Sequence, residues 1–374
     1  GILSIMVMTT HHFLLHSAAL LLVFLTRAPD CNALALIRPS VDTKVWMLGN
    51  RNTSMKYERD RFLEEAQKKS IDFTLVHSSE FHTVVSGPGA DRGSIIYKNE
   101  AVSLPDVVLA RTGSGTGTVS INVLRQFERL NVPTLPNSAS IEASMDKMYA
   151  NQILAQAGLP IPKTMLARLP ETSAELVQKV VGFPCVLKVV TGSLGKGVHL
   201  CHNAKEFENL SEMLCSVTNS KKSNPLLMLI QEFVSFSEGR DLRVMVIGGR
   251  VVGAMQRTST DGDFKANVSR GGEAAAFPVD YEMEKLALDV AKTLDLDIAG
   301  IDLLFHPDGY KVCEANSAPG FKGFEDALQV NVPEMMLDYA SFRAKADGRS
   351  LANQKSFIPH NIIGKFDDLV SEEI

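Results

Sequence analysis

Short apolar runs alternate with amphipathic stretches through residues 41–136, and this alternation constrains the fold more than any other feature of the chain. Val45-Trp46-Met47-Leu48, Phe73-Thr74-Leu75-Val76, Val107-Val108-Leu109-Ala110 and residues 132–135 read as strands. Residues 57–69 and 121–130 read as helices, the first with Phe62, Leu63 and Ala66 on its apolar side. The alternation predicts an α/β fold, an open parallel sheet with helices on its faces. Ligands of such sheets bind beyond the carboxyl ends of the strands, where Arg111 and the loop TGSGTG stand in this sequence.

Past Pro136-Asn137-Ser138 the pattern changes to α+β. A helix is expected over 144–157, with Met148, Ile153 and Leu154 apolar and Gly158 as its stop. Strands are expected at 184–190, 198–201 and 226–231, with a polar helix around 206–214. Residues 242–247 and 251–256 flank Gly248-Gly249, a hairpin signature. Met283, Leu286, Val290 and Leu294 mark another helix, and residues 301–304 and 310–313 flank the turn HPDG. The polar tail past Gly348 is expected to pack loosely. The apolar run at 13–25 is shorter than the roughly 20 residues that span a bilayer, so no stable membrane span is expected. It has the length of a signal-peptide core, with Ala33-Leu34-Ala35 as a cleavage site, but no Lys or Arg precedes it. Residues 1–40 are therefore read as a targeting leader or an N-terminal extension and set apart from the fold.

Composition removes several classes of function. With 45% hydrophobic and 22% charged residues the chain is globular, and a net charge of −5 argues against a nucleic-acid partner. Five cysteines without a C-x-x-C pair fit neither a disulfide framework nor a structural zinc site. Cys185, Cys201 and Cys313 lie in apolar strands and read as buried small hydrophobes.

Three groups of residues carry chemistry. The first is TGSLGKGV, in which Gly192, Ser193, Gly195, Lys196 and Gly197 lie between two strands. Backbone N–H groups of such a stretch can approach phosphate oxygens, although a tight hairpin also needs glycines. Lys188, on the apolar strand before it, is costly to bury unless an anion meets it. The second group is Asp302 in GIDLL with Glu314 and Asn316 in CEAN; the last two share one side of a strand. Two carboxylates and an amide suit Mg²⁺ completed by phosphate and water. The third is Arg243, Arg257, Lys265 and Arg270, with Arg111 joining from the first domain, which suits an anionic substrate or a developing acyl phosphate.

In this order, Asp146-Lys147, VLKVVTGSLGKGV, IQEFV, GRDLRVMVIGGRVVGAM, DGDFKANVSRGG, GIDLL and CEANSAPGF resemble the ATP-grasp superfamily, and within it the RimK-like ligases. The likeness covers residues 41–345. DGDFKANVSRGG is similar to ribosomal-protein glutamate ligases and to the animal synthases of N-acetylaspartylglutamate and β-citrylglutamate. The resemblance implies a pre-ATP-grasp domain at 41–136 and two ATP-grasp subdomains, 137–233 and 234–345, that clasp ATP, followed by a tail at 346–374. It implies ATP phosphates at Lys147 and Lys188 under the 191–198 flap, and adenine at Glu232 and Phe233, the latter often Tyr in relatives. Ribose would lie at Asp241, and the triphosphate and metal region at Lys265 and Asn267. Two Mg²⁺, with Mn²⁺ as a substitute, would lie at Asp302, Glu314 and Asn316. The carboxylate substrate and acyl phosphate would lie at Arg243, Arg257 and Arg270.

The implied reaction is ATP-dependent amide formation through an acyl phosphate, joining glutamate to a small acid or a peptide. Alternatives are a ligase that modifies a ribosomal or other protein, and a catalytically inactive nucleotide-binding scaffold. The resemblance allows a homo-oligomer. ATP dependence points to the cytoplasm, or to an ATP-containing organelle if residues 13–25 are a leader.

Overall fold

The run KVWMLG forms β1 (Lys44–Gly49), and both of its faces are buried: Val45 and Met47 on one side, Trp46 and Leu48 on the other. A strand buried on both faces belongs inside a parallel sheet covered by other elements. The computed structural model describes residues 43–49, 56–85, 94–112, 117–190, 197–260, 262–266 and 272–351. The apolar run at 13–25, most of the loop after Arg111, the 191–196 segment and the tail beyond residue 351 lie outside the described residues. Among the described residues, no helix is long and apolar enough to cross a membrane.

The first segment contains β1, α1 (Lys56–Lys68), β2 (Asp72–His77), β3 (Phe81–Val84), β4 (Ser94–Tyr97), β5 (Glu100–Ala101), β6 (Val107–Arg111), α2 (Thr118–Arg129) and β7 (Thr134–Leu135). Its parallel sheet has the order β2-β1-β6-β7. This agrees with the alternation read from the sequence. The antiparallel ribbon β3-β4-β5 was not anticipated, because its strands are short and FHTV shows little apolar periodicity. It covers Trp46 with Phe81 and Tyr97, while Phe127 of α2 meets the indole edge-on.

The single helix expected at 144–157 is two helices, α3 (Ser138–Met145) and α4 (Lys147–Gln156). Asp146 is the corner: it ends α3, and its carboxylate caps α4 by accepting from the Met148 and Tyr149 N–H groups. Gly158, with φ +71°, follows α4 as expected.

Next come β8 (Thr164–Leu169), α5 (Ala174–Val180), β9 (Cys185–Val189), β10 (Val198–Cys201), α6 (Ala204–Thr218) and β11 (Leu226–Glu232). The antiparallel sheet order is β10-β9-β11-β8, and α5 and α6 contribute Val177 and Phe207 to the core on one face. The last segment has β12 (Arg240–Ile247), β13 (Arg250–Thr258), β14 (Glu273–Phe277), α7 (Tyr281–Thr293), β15 (Ile298–His306), β16 (Gly309–Asn316), α8 (Lys322–Leu328) and α9 (Val332–Leu351). Its sheet order is β14-β13-β12-β15-β16, and both expected hairpins are present. Gly248 and Gly249, at φ +59° and +72°, make the first turn. Helix α9 runs through Gly348 to Leu351, where a loose tail was expected.

One core joins the ends of the chain. Val45, Met47 and Leu109 of the parallel sheet pack with Met245, Met255, Phe321, Phe324 and Met336 from the last segment. Phe321 is fully buried and meets Phe62 of α1 edge-on, with ring centroids 5.7 Å apart. Phe321→Ala is expected to lower stability by about 3–5 kcal/mol through lost burial plus the cavity left behind. The midpoint of a urea unfolding curve measures this directly.

Candidate functional site: a charged face between two sheets

Leu242, Val244, Ile301 and Leu303 turn one face of the five-stranded sheet toward α7 and its buried Met283 and Val290. Period-two alternation sends Asp241, Arg243 and Arg257 to the other face. That face enters the shared core at Met245 and Met255, and becomes charged a residue or two further along.

The pairing register assembles the charges. Asp241 faces Arg257, Arg243 faces Asp302, and Asp302 faces Glu314. The Arg243 Nε and Nη2 donate to the two Asp302 oxygens at 2.7 Å each. The Arg257 Nε and Nη2 donate to Asp241 at 2.6 and 2.7 Å, and Nη2 also lies 3.0 Å from Asp302 Oδ2. Arg257 thus lies on β13 and is 6% exposed. Asn316 Nδ2 reaches the Gly300 carbonyl at 3.3 Å and Asp302 Oδ2 at 3.5 Å. The Asp146 corner aims Lys147, the first residue of α4, at Glu314, with Nζ 2.5 Å from Oε1. A bulge between Asp302 and Leu303 leaves Cys313 as the extra residue on β16.

Burial opposes charge on Asp302, but Arg243 and Arg257 outweigh it and hold its pKa at about 2. Burial pushes Asp241 up, against the pull of Arg257, so acid protonates Asp241 before Asp302.

The four-stranded sheet faces this network. Lys188 Nζ donates to Gln231 Oε1 at 2.6 Å and lies 3.7 Å from Cys313 Sγ. Cys313 is therefore beside the charged face, unlike Cys185 and Cys201, which are buried small residues as expected. Burial pushes the Cys313 thiol up. Glu232 accepts from the Lys311 ammonium at 2.9 and 3.0 Å and from the Lys163 N–H at 3.0 Å. Burial opposes its charge, yet these donors hold its carboxyl below the usual range. The Phe233 ring meets Phe264 edge-on. Lys265 Nζ reaches the Val198 carbonyl on edge strand β10 at 3.3 Å. Gly197 has φ +67°, and a Cβ there would lie 2.8 Å from Val189 Cγ1, so glycine is required where the flap re-enters the sheet.

Lys147, Asp241, Arg243, Arg257, Asp302, Glu314 and Asn316 thus converge, with Lys188 opposite. Glu232, Phe233 and Lys265 stand apart from that network, around the second sheet. Gly192, Ser193, Gly195, Lys196, Asn267 and Arg270 lie outside the described residues. Sequence reasoning missed Gln231 and Lys311; Gln231 follows the apolar run at 226–230, and Lys311 stands between Tyr310 and Val312, so a polar residue beside apolar ones was the available signal.

The donor chemistry fits a hard cation that arrives with its own oxygens. Among the described residues no three His, Cys, Asp or Glu side chains converge as a metal site. Asp302, Glu314 and Asn316 supply two carboxylates and one amide, so phosphate and water must complete a Mg²⁺ shell.

A parallel-sheet domain is thus followed by two α+β sheets that face each other across cationic and carboxylate groups. Residues 44–141 match the RimK PreATP-grasp domain, and residues 144–340 the RimK-like ATP-grasp domain. A probable alpha-L-glutamate ligase from Legionella pneumophila strain Corby is 36% identical over 291 residues, covering 77% of this chain and 93% of that protein. One from Psychromonas ingrahamii is 31% identical over 298 residues, covering 80% and 95%. Among solved structures, the ATP-grasp ligase PsnB, complexed with Mg, ADP and a phosphomimetic variant of its minimal precursor, aligns with a TM-score of 0.61. The match covers 82% of this chain and 100% of that one at 19% identity, a likeness of fold. The chain belongs to the RimK-like ATP-grasp family.

Asp302→Asn is expected to destabilise the protein at pH 7 by about 3–5 kcal/mol, because the buried Arg257 and the half-buried Arg243 guanidiniums lose their shared partner. The Asp302 carboxyl falls from its ordinary 3.8 to about 2 on folding, so its ionisation contributes roughly 2 kcal/mol above pH 4. That contribution is lost as pH falls through about 2. The stability gap between wild type and Asp302→Asn should therefore narrow below pH 4, as denaturant titrations across pH would record.

Proposed function

We propose that this protein joins L-glutamate to an acidic acceptor, a small acid or a peptide carboxyl group, with ATP as the activating substrate. The observation that carries the reading is the connected series Lys147–Glu314, Asp302, Arg243, Arg257 and Asp241, with Lys188 facing it from the neighbouring sheet. A carboxylate is a poor electrophile because oxide would have to leave. Phosphoryl transfer from ATP makes an acyl phosphate and ADP; the amine then attacks the acyl carbon, and phosphate leaves. Catalysis of this kind is positioning and electrostatics.

Each residue has a part in that chemistry. ATP lies between segments 137–233 and 234–345, with its phosphates at Lys147, Lys188 and the flap. Glu232 and Phe233 flank the adenine, and Asp241 stands toward the ribose once Arg257 releases an oxygen. Asp302, Glu314 and Asn316 would hold Mg²⁺, as two ions or their Mn²⁺ equivalents. The ion supplies neutralisation of the transferring phosphoryl group. Lys265 and Asn267 stand toward the triphosphate. Arg243, Arg257 and Arg270 orient the carboxylates and stabilise the acyl phosphate, and Arg257 serves two acids with one planar fork.

ADP release from purified protein, supplied with L-glutamate and a panel of acidic acceptors, tests the reading; absence of release with every pair would overturn it. Glu314→Ala should abolish ligation at saturating Mg²⁺ while the unfolding midpoint stays near that of wild type. Arg257→Lys keeps the charge and loses the fork. It should lower kcat/KM for the acid by about 10- to 100-fold, or roughly 1.4–2.7 kcal/mol of transition-state binding. Unchanged steady-state kinetics would count against the role given to Arg257.

A further inference from the structure

Arg111 is buried without being fully partnered. It ends β6, is 1% exposed, and donates through Nη2 to Glu58 at 2.9 Å and to the Pro319 carbonyl at 2.7 Å. Its Nε and Nη1 are shielded from water and have no hydrogen-bond partner among the described residues. Buried donors left unpaired are costly, and native proteins rarely keep them on a charged group without a use.

A purely structural role does not account for these donors. The first and last segments are already tied by Tyr57 and Arg61 to Glu325, and by Lys69 to Asp338. Those contacts join the same parts of the chain. Arg257, also buried, is matched by two carboxylates, whereas Arg111 has one carboxylate, one carbonyl and the Phe321 ring, 5.7 Å from its guanidinium, which leaves Nε and Nη1 without an acceptor among the described residues.

Position points to a ligand. In the order β2-β1-β6-β7 the chain leaves β1 toward β2 on one side and returns to β6 on the other. The topological switch of the parallel sheet therefore lies between β1 and β6, and ligands of open α/β sheets bind outside the strands' carboxyl ends at that point. Gly49 and Arg111 are paired there, at the ends of β1 and β6. Among the described residues, a Cβ on Gly49 would meet Met47 Cε at 4.0 Å, an ordinary contact. Pro319, whose carbonyl accepts from Arg111, also packs on Gly300 beside Arg243: a Cβ on Gly300 would stand 2.6 Å from Pro319 Cβ and 3.6 Å from Arg243 Cδ.

We infer that Arg111 is a carboxylate anchor: Nε and Nη1 receive a non-reacting carboxylate of one of the two organic substrates and hold it at the mouth of the parallel sheet. This rests on the ligase reading and adds to it a role for the first domain in selecting acids. A carboxylate meets these donors away from water, where charge-assisted hydrogen bonds are strongest.

The test is Arg111→Lys with separate KM values for L-glutamate, for the acceptor and for ATP. The KM of one carboxylate substrate should rise tenfold or more while that of ATP stays within twofold, and the substrate affected names the carboxylate held. Three KM values within twofold of wild type, or an equal rise for ATP, would overturn the anchor and leave Arg111 as a strut. If the variant does not fold, a structure of the wild-type protein with L-glutamate and acceptor decides. A carboxylate oxygen about 2.7–3.2 Å from Nε or Nη1 supports the anchor, and both substrates bound elsewhere reject it. If wild type releases no ADP with any pair, the ligase reading fails and binding alone judges Arg111. Titration with L-glutamate, N-acetyl-L-aspartate and citrate should then show one acid binding wild type at least tenfold tighter than Arg111→Lys; equal binding, or none, rejects the anchor.

Discussion

Asp302 held between Arg243 and Arg257 is the interaction on which the site depends. An isolated buried carboxylate would take up a proton instead of keeping its charge. Two guanidiniums in adjacent rows of the sheet keep it ionised, and Asp241 balances the second of them. The opposite face of the same strands packs Leu242, Val244, Ile301 and Leu303 on α7, so the charged groups cannot turn away without exposing these side chains. The hydrophobic core therefore fixes the electrostatics: moving the register by one residue would exchange the two faces.

The preceding segment reaches the charged face of this sheet through single polar side chains, while Leu154 of α4 packs in the apolar core under the other face. Asp146 caps α4 and thereby directs Lys147 to Glu314. Lys188 comes from the four-stranded sheet, steadied by Gln231, while Lys311 reaches back to Glu232. Such long contacts across a cleft leave the two sheets free of a shared apolar core at this point. The first segment is different, since it shares a buried core with β12, β13, α8 and α9. The Arg111 guanidinium thus lies against that shared core, over the Phe321 ring, whereas Lys188 faces the charged network from the four-stranded sheet.

Much of this was legible before any coordinates. Glycine pairs and HPDG announced the two hairpins, and the apolar strands announced the parallel sheet. Asp302, Glu314 and Asn316 stood out because acids in apolar strands need a reason. The split at Asp146 was hidden, because apolar periodicity runs on through the corner and only the capping geometry shows the break. The ribbon β3-β4-β5 was hidden because short mixed strands carry almost no periodic signal.

The amino-acid sequence by itself determined the order of most strands and helices, the two hairpin turns and the residue types available for phosphate, metal and carboxylate chemistry. These follow from local rules: backbone geometry at glycine, side-chain alternation along a strand, and the cost of placing charge in an apolar run. Only the tertiary structure decided partnership. Asp241 faces Arg257, Lys147 finds Glu314 across 167 positions, and Arg111 meets the Pro319 carbonyl across 208. A strand's pattern states which side a residue faces but not what stands opposite. That depends on strand order, on the bulge that sets Cys313 aside, and on how closely two sheets approach, which are properties of the whole packed chain.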